Sequence, residues 1–92
     1  MNTAAKGRRA EHRSRQMLEA AGYVVFRSAA SKGAFDLIAV GPTDFALVQC
    51  KTNRGPSPAE REALQLFPCP PNCKRILHVW HDRQRAPVVT VL

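Results

Sequence analysis

The chain has 92 residues, with 14 Lys and Arg against 7 Asp and Glu, and its isoelectric point is near 10.2. This length predicts one small domain over residues 1–92, because a second core would leave too few residues for either. The apolar fraction of 45% excludes wholesale disorder, and no apolar run approaches the ~18 residues of a membrane helix. A net charge of +7 attracts polyanions, so nucleic acid is the expected partner, with a merely solvated basic surface as the alternative.

The cysteines and the N-terminus bear on location. Three cysteines, an odd number, argue against a disulfide framework, and no apolar stretch follows the basic N-terminus as it would in a secretory signal. We therefore expect reduced thiols, no membrane contact and a place in the cytoplasm.

Residues 4–21 have the spacing of an amphipathic helix that ends at Gly22. One stripe holds small or apolar side chains, namely Ala10, Ser14, Met17, Leu18 and Ala21. The opposite side is basic and holds Lys6, Arg8, Arg9, His12, Arg13 and Arg15.

The rest of the chain predicts five strands and a second helix. Ser57, Pro58 and Glu60 form an N-cap, a first-turn proline and a capping-box acid, and Pro68 ends the helix that they begin. The predicted order is α-β-β-β-α-β-β, with a hairpin of the second and third strands. β-Branched and aromatic runs give the strands as 23–26, 35–40, 45–50, 75–80 and 88–92.

The hairpin allows a geometric prediction. A four-residue connection at 41–44 places Ile38 opposite Leu47 and Asp36 opposite Gln49. Alternation then puts Asp36, Gln49 and Lys51 on one face of the sheet. Because apolar residues occupy both faces, we expect each face to be covered by a helix.

Three polar side chains at the end of an apolar strand pair can be read in two ways. One is a partly buried salt bridge between Asp36 and Lys51 that Gln49 solvates. The other is a Mg²⁺ site with oxygen ligands from Asp36 and Gln49 and a fixed positive charge from Lys51. These residues alone leave both interpretations open.

Glu11 lies seven residues, about two helical turns, before core-facing Leu18, so it projects toward the sheet and favours the metal site. The alternative is that Glu11 only relieves charge repulsion on a basic helix.

Six segments carry a resemblance to a known family: Gly7-Arg8-Arg9-Ala10-Glu11, Gly22-Tyr23, Arg27-Ser28, Ser31-Lys32-Gly33, Phe35-Asp36-Leu37-Ile38-Ala39 and Val48-Gln49-Cys50-Lys51. In this order they resemble the archaeal-type Holliday junction resolvases of the PD-(D/E)xK nuclease superfamily. The resemblance implies an α/β fold with a restriction-endonuclease-like core, in which helices flank both faces of a central mixed β-sheet. It also implies a homodimer that cleaves DNA phosphodiester bonds with Mg²⁺, or with Mn²⁺ in its place.

The resemblance assigns roles to individual residues. Glu11, Asp36 and Gln49 correspond to the metal ligands and Lys51 to the catalytic lysine, while Ser31 falls in the active-site region. Phe35 stands where the superfamily has proline, which changes only how the strand enters the site. Gln49 replaces the usual acid and removes one negative charge, although its amide oxygen can still coordinate Mg²⁺.

Basic residues on the helix and in three loops or strand ends are the expected DNA contacts: Lys6, Arg8, Arg9, Arg13, Arg15, Arg27, Lys32 and Arg54. Apolar residues near Leu66 and Phe67 are the expected dimer surface. Two other functions remain open at this point. One is a restriction-like or nicking nuclease on duplex DNA, and the other is a catalytically silent DNA-binding module in which Gln49 marks loss of metal affinity.

Overall fold

The computed structural model of the protein describes residues 3–28 and 34–92, so Ser31 and Lys32 lie outside the described residues. The element order is the predicted one. In chain order the elements are α1 (Thr3–Ala20), β1 (Val24–Arg27), β2 (Leu37–Val40), β3 (Phe45–Thr52), α2 (Pro58–Leu66), β4 (Cys73–Trp80) and β5 (Val88–Val91).

The five strands form one mixed sheet in the order β1-β2-β3-β4-β5. Only the β3–β4 pair is parallel, and α2 makes the crossover between these two strands. The other pairs are antiparallel. The predicted hairpin register is confirmed, since Ile38 pairs with Leu47 and Val40 with Phe45.

α1 covers one face of the sheet. Its Leu18 packs into a cluster of buried side chains from β1, β2 and β3: Val25, Leu37, Ala39, Ala46 and Val48. Ala10 and Ser14 are buried on the same helix. Met17 and Ala21 were also predicted for this stripe, but both are exposed. They lie at the edge of a stripe that is narrower than the spacing suggested, because the sheet contacts only the side of the helix that Ala10, Ser14 and Leu18 define.

α2 lies on the other face. Its Glu60 reaches Lys51, which alternates with buried Val48 along β3 and so points away from α1. The helix begins with the predicted capping box and buries Leu64. Beyond its end, Phe67 packs edge to face against Phe35, with 5.4 Å between the ring centroids. Helices therefore flank both faces, as predicted.

The prediction that each face is fully covered is wrong for the β1–β2 half of the α2 side. Val24, Phe26, Ile38 and Val40 alternate with buried residues and are 61%, 56%, 37% and 43% exposed. α2 is only nine residues long and contacts the β3–β4 half. An apolar strip of these four side chains, here called the β1–β2 strip, is consequently left open to solvent.

A buried polar cluster joins α1 to β4. The Trp80 indole Nε1 donates to Ser14 Oγ at 2.7 Å, and His78 Nδ1 lies 2.8 Å from the same oxygen. All three residues are buried, so Trp80 is part of the core. No helix in the described part of the chain is long and apolar enough to cross a membrane.

Candidate active site

Asp36 directly precedes β2 and its carboxylate is anchored by the neighbouring strand. Its Oδ2 accepts a hydrogen bond from the Cys50 backbone N–H at 2.9 Å. Its own N–H donates to the Val48 carbonyl, also at 2.9 Å. Because β2 begins only at Leu37, the carboxylate takes the place of a strand partner for Cys50. This holds the half-buried side chain at the end of the sheet.

Gln49 contacts the same carboxylate from β3. With its amide nitrogen turned toward the two nearby acceptors, Nε2 donates to Ala34 O at 2.6 Å and to Asp36 Oδ2 at 3.3 Å. The structure thus brings the predicted pair together. A neutral amide at this position donates to Asp36, whereas a carboxylate there would repel it.

Lys51 does not bridge to Asp36. Its Nζ lies 2.9 Å from Glu60 Oε2, so its ion pair is with the first turn of α2. The alternative reading of the polar group, an Asp36–Lys51 salt bridge, is therefore wrong. The hydrogen bond from Lys51 lowers the pKa of the Glu60 carboxyl below its usual value.

Glu11 is about one-quarter exposed and pairs with a basic residue of β1. Its Oε1 lies 2.9 Å from Arg27 Nε, and its side chain is 23% exposed. The two residues share a cleft of about 250 Å³ with Arg8, His12, Arg15 and Leu37. Partly buried Cys50 has its thiol pKa raised to about 12, chiefly by burial, with smaller contributions from the charges of Asp36 and Glu11. Glu11 faces the β1 side of α1 through its ion pair with Arg27.

The site therefore consists of the Asp36–Gln49 pair and two ion pairs, Glu11 with Arg27 and Lys51 with Glu60. In the described residues no group of three His, Cys, Asp or Glu side chains is close enough to hold a metal ion. Gln49 is outside that set of residue types, and its amide oxygen, like the carboxylate oxygens of Asp36 and Glu11, is a hard donor of the kind that Mg²⁺ prefers. Oxygen donors of this kind, together with a lysine, are groups that can serve the cleavage of a phosphate ester.

Comparison with known proteins identifies the family. The family model described as archaeal Holliday junction resolvase (Hjc) matches residues 2–62, which is more than half of the chain. The chain belongs to this resolvase family. None of the curated proteins matches it.

A solved structure agrees with the resolvase fold. The protein is similar to the Holliday junction resolvase Hjc from the archaeal hyperthermophile Archaeoglobus fulgidus, with a TM-score of 0.68 and 22% sequence identity. The match covers 86% of this chain and 67% of that one. At this identity the likeness confirms the fold, while membership of the family supports a nuclease that acts on Holliday junctions.

The predicted DNA contacts of this resolvase fall into three groups. Arg8, Arg15 and Arg27 line the cleft around Glu11. Lys6, Arg9 and Arg13 line a second cleft, against the turn that follows β4. Arg54 lies with Lys51 and Glu60 in a third, and Lys32 lies outside the described residues. Their contact with DNA stays a prediction, as do the roles of Glu11, Ser31, Asp36, Gln49 and Lys51.

Glu60 is the residue of this site that sequence reasoning missed. It was recognised as a capping-box acid and given no further role. The signal was its place in the first turn of a helix that crosses over from β3, the strand that carries Lys51. In such a crossover, the start of the helix lies near the end of the strand before it.

Proposed function

We propose that this resolvase-family chain is a Mg²⁺-dependent, structure-selective endonuclease that cleaves phosphodiester bonds in four-way DNA junctions. The observation that supports it most directly is the contact of Asp36 with Gln49, where β2 begins and β3 approaches its end. Lys51 follows Gln49 by two residues on β3. Family membership supplies the substrate class.

The donor set fits a small, hard divalent cation. Asp36 and Glu11 supply carboxylate oxygens and Gln49 an amide oxygen, which are the ligands that Mg²⁺ and Mn²⁺ prefer. When bound, the metal would supply Lewis-acid polarisation of the phosphate and a more acidic water. The Cys50 N–H and the Gln49 amide orient Asp36 before any cation binds, so little rearrangement is needed.

Lys51 acts on the phosphate itself. An ammonium beside the scissile group offsets the negative charge that builds up during attack by water. The pair with Glu60 fixes where that ammonium lies. Ser31 is proposed to assist in the same region, on the resemblance alone.

DNA shape is the expected basis of recognition. The described basic residues of α1, β1 and the β3–α2 loop surround the site in clefts and on exposed helix positions, where they reach phosphates more readily than base edges. Within residues 3–28 and 34–92, every helix and strand belongs to the single sheet and its flanking helices, and none is added for reading bases in a groove.

We also propose a homodimer. A four-way junction has two-fold symmetry, which a pair of related sites matches. Leu66 is 73% exposed, while Phe67 is partly covered by Phe35. A second copy that packs on Leu66 and the β1–β2 strip would bury apolar surface that one chain leaves in water. Sedimentation of the wild type at micromolar concentration as a monomer, with and without junction DNA, would contradict the dimer.

The deciding experiment compares a synthetic four-way junction with its linear duplex arms, with and without Mg²⁺. Symmetric nicks in the junction alone, only with metal, support the proposal. Equal cleavage of the duplex indicates the restriction-like or nicking alternative. Junction binding without cleavage in Mg²⁺ or Mn²⁺ indicates the silent DNA-binding module, the reading that Gln49 in place of an acid keeps open.

A further inference from the structure

The turn between β4 and β5 lies at the same end of the strands as the candidate active site. β3 and β4 run parallel, with Lys51 beside Val79 and Thr52 beside Trp80. The residues after Trp80 therefore emerge where β3 ends. Lys74, near the start of β4, pairs in register with Ala46 at the opposite end.

This turn, residues 81–87, is fastened to both α1 and β3. Asp82 Oδ2 accepts hydrogen bonds from Lys6 Nζ at 2.8 Å and from Asn53 Nδ2 at 3.1 Å. The Asp82 N–H donates to Asn53 Oδ1 at 2.9 Å. The turn is thus held against the helix and the strand end by its one acidic side chain.

Arg13 makes a further attachment. Its guanidinium stacks over the Trp80 ring at 4.2 Å from the centroid and donates to the carbonyls of Gln84 and Arg85, both at 3.2 Å. Arg13 is therefore engaged within the protein, where it holds the turn against α1.

The fastened turn closes a basic cleft of about 160 Å³. Lys6, Arg9, Arg13, His81 and Arg83 line it, together with Asp82. Arg9 and Arg83 are exposed and form no ion pair within 4 Å with any described residue. Asp82 is bound by Lys6 and Asn53, and the charge of Arg83 acts on it only at longer range. The cleft thus presents two guanidinium groups to solvent without a direct acidic partner among the described residues.

The backbone at Arg83 gives a second reason to assign it a function. Its φ is +68°, in the left-handed region where glycine and asparagine are the usual residues. An arginine in this conformation strains the backbone locally, and strain of this kind is often retained at functional positions.

We propose that Arg83 of the β4–β5 turn and Arg9 of α1 form a second phosphate subsite, which binds the DNA backbone beside the scissile phosphate. This assignment rests on the proposed function for the identity of the polyanion. The subsite extends the DNA surface from α1 around the end of β4, onto a segment that the sequence analysis did not include.

The test is the salt dependence of junction binding, measured in EDTA for the full chain and its variants. Arg83→Asn removes the cation and suits the positive φ, so the turn should keep its shape. Each phosphate contact contributes about 0.9 to the slope of log affinity against log salt. We expect Arg83→Asn to lower the slope by about 0.9 and Arg83→Lys to restore most of it.

Lys74→Ala is the matched control, because it removes one positive charge at the far end of β4, where Lys74 pairs with Asp44. It should leave the slope unchanged. If Arg83→Asn and Lys74→Ala give the same slope as each other, the subsite is refuted. A loss of thermal stability in Arg83→Asn, with the slope unchanged, refutes it as well, since the residue would then act only on the fold.

Cleavage of the same junction in Mg²⁺ separates this inference from the proposed function. Cleavage by the wild type with no slope change in Arg83→Asn keeps the function and rejects the subsite. A slope change without any cleavage by the wild type keeps the subsite and rejects the nuclease. Absence of DNA binding by the wild type rejects both.

Discussion

Lys51 and Glu60 form an ion pair in which Nζ lies 2.9 Å from Oε2, and this contact joins the end of β3 to the first turn of α2. The second oxygen of the same carboxylate accepts from the Ser57 N–H at 3.3 Å in the capping box. One acid therefore both caps a helix and positions the lysine. Lys51 also holds the pKa of Glu60 below its usual value, so the carboxylate stays charged at neutral pH.

The two tasks of Glu60 can be separated. Glu60→Gln keeps an oxygen for the capping box and removes the charge that holds Lys51, so we expect the cleavage rate to fall about tenfold with little change in Tm. Ser57→Ala is the matched variant, which breaks the cap at a cost of about 1 kcal/mol and leaves the ion pair intact. It should lower the Tm and largely spare kcat. Equal loss of kcat in both variants would mean that Glu60 matters only through helix stability.

The sequence predicts the interactions that depend on local pattern and misses those that depend on how separate elements pack. The register that pairs Ile38 with Leu47 follows from the length of the connection and from alternation, both local properties, and it is confirmed. The Lys51–Glu60 pair depends on the path of α2 between two parallel strands, which no local pattern specifies. The anchor of Asp36 on the Cys50 N–H was equally out of reach, because it depends on β2 starting one residue after Asp36.

The uncovered strip shows a related limit. Alternation places Ile38 and Val40 on one face of the hairpin, but it does not determine how much of that face a nine-residue helix covers. Packing between elements, and any second chain, decide that.

Asp36→Asn should abolish most cleavage while the fold is retained. The asparagine oxygen can still accept from the Cys50 N–H, so the anchor survives and only the charge is lost. We expect cleavage in Mg²⁺ to fall by several orders of magnitude and junction binding in EDTA to persist or tighten, because a negative charge near the phosphates is removed. Gel assays of cleavage and binding on the same protein provide the measurement.

The control for that variant is Asp44→Asn, at the other end of the hairpin, where Asp44 contacts Tyr23 and Lys74. It should cut at the wild-type rate. A folded Asp36→Asn protein that also cuts at that rate would refute the assigned site.

Gln49→Glu tests whether this position faces a metal ion. The Gln49 amide donates to Asp36, so a glutamate would place two carboxylates side by side and lower the Tm in EDTA at pH 8. Mg²⁺ should reverse this, since each tenfold gain in affinity adds about 1.4 kcal/mol of stability when the cation is in excess. Thermal melts across a Mg²⁺ titration give the shift for both proteins.

Gln65→Glu adds the same charge on an exposed position of α2 and is the matched control. Its response to Mg²⁺ should equal that of the wild type. If Gln49→Glu responds no more strongly than Gln65→Glu, position 49 does not contribute to a cation site.

His78 predicts a loss of stability on mild acidification. Burial lowers the pKa of this histidine from its ordinary value of 6.5, and its ring lies against Ser14 in the core. Below pH 6.5 the unfolded chain therefore binds a proton that the folded chain resists, so stability is full above that pH and declines below it. The slope is at most about 1.4 kcal/mol per pH unit, until the lower folded-state pKa is reached. At about 4–8 °C per kcal/mol for a domain of this size, the Tm should fall measurably between pH 7.5 and 5.5.

Glu60 and Asp82 have lowered pKa values and stay ionised throughout this range, so they do not produce the decline. His78→Gln should lower the Tm at pH 7.5 but flatten its pH dependence, whereas His12→Gln, on the exposed side of α1, should keep the wild-type slope. An unchanged pH dependence in His78→Gln would show that the acid sensitivity arises elsewhere in the chain.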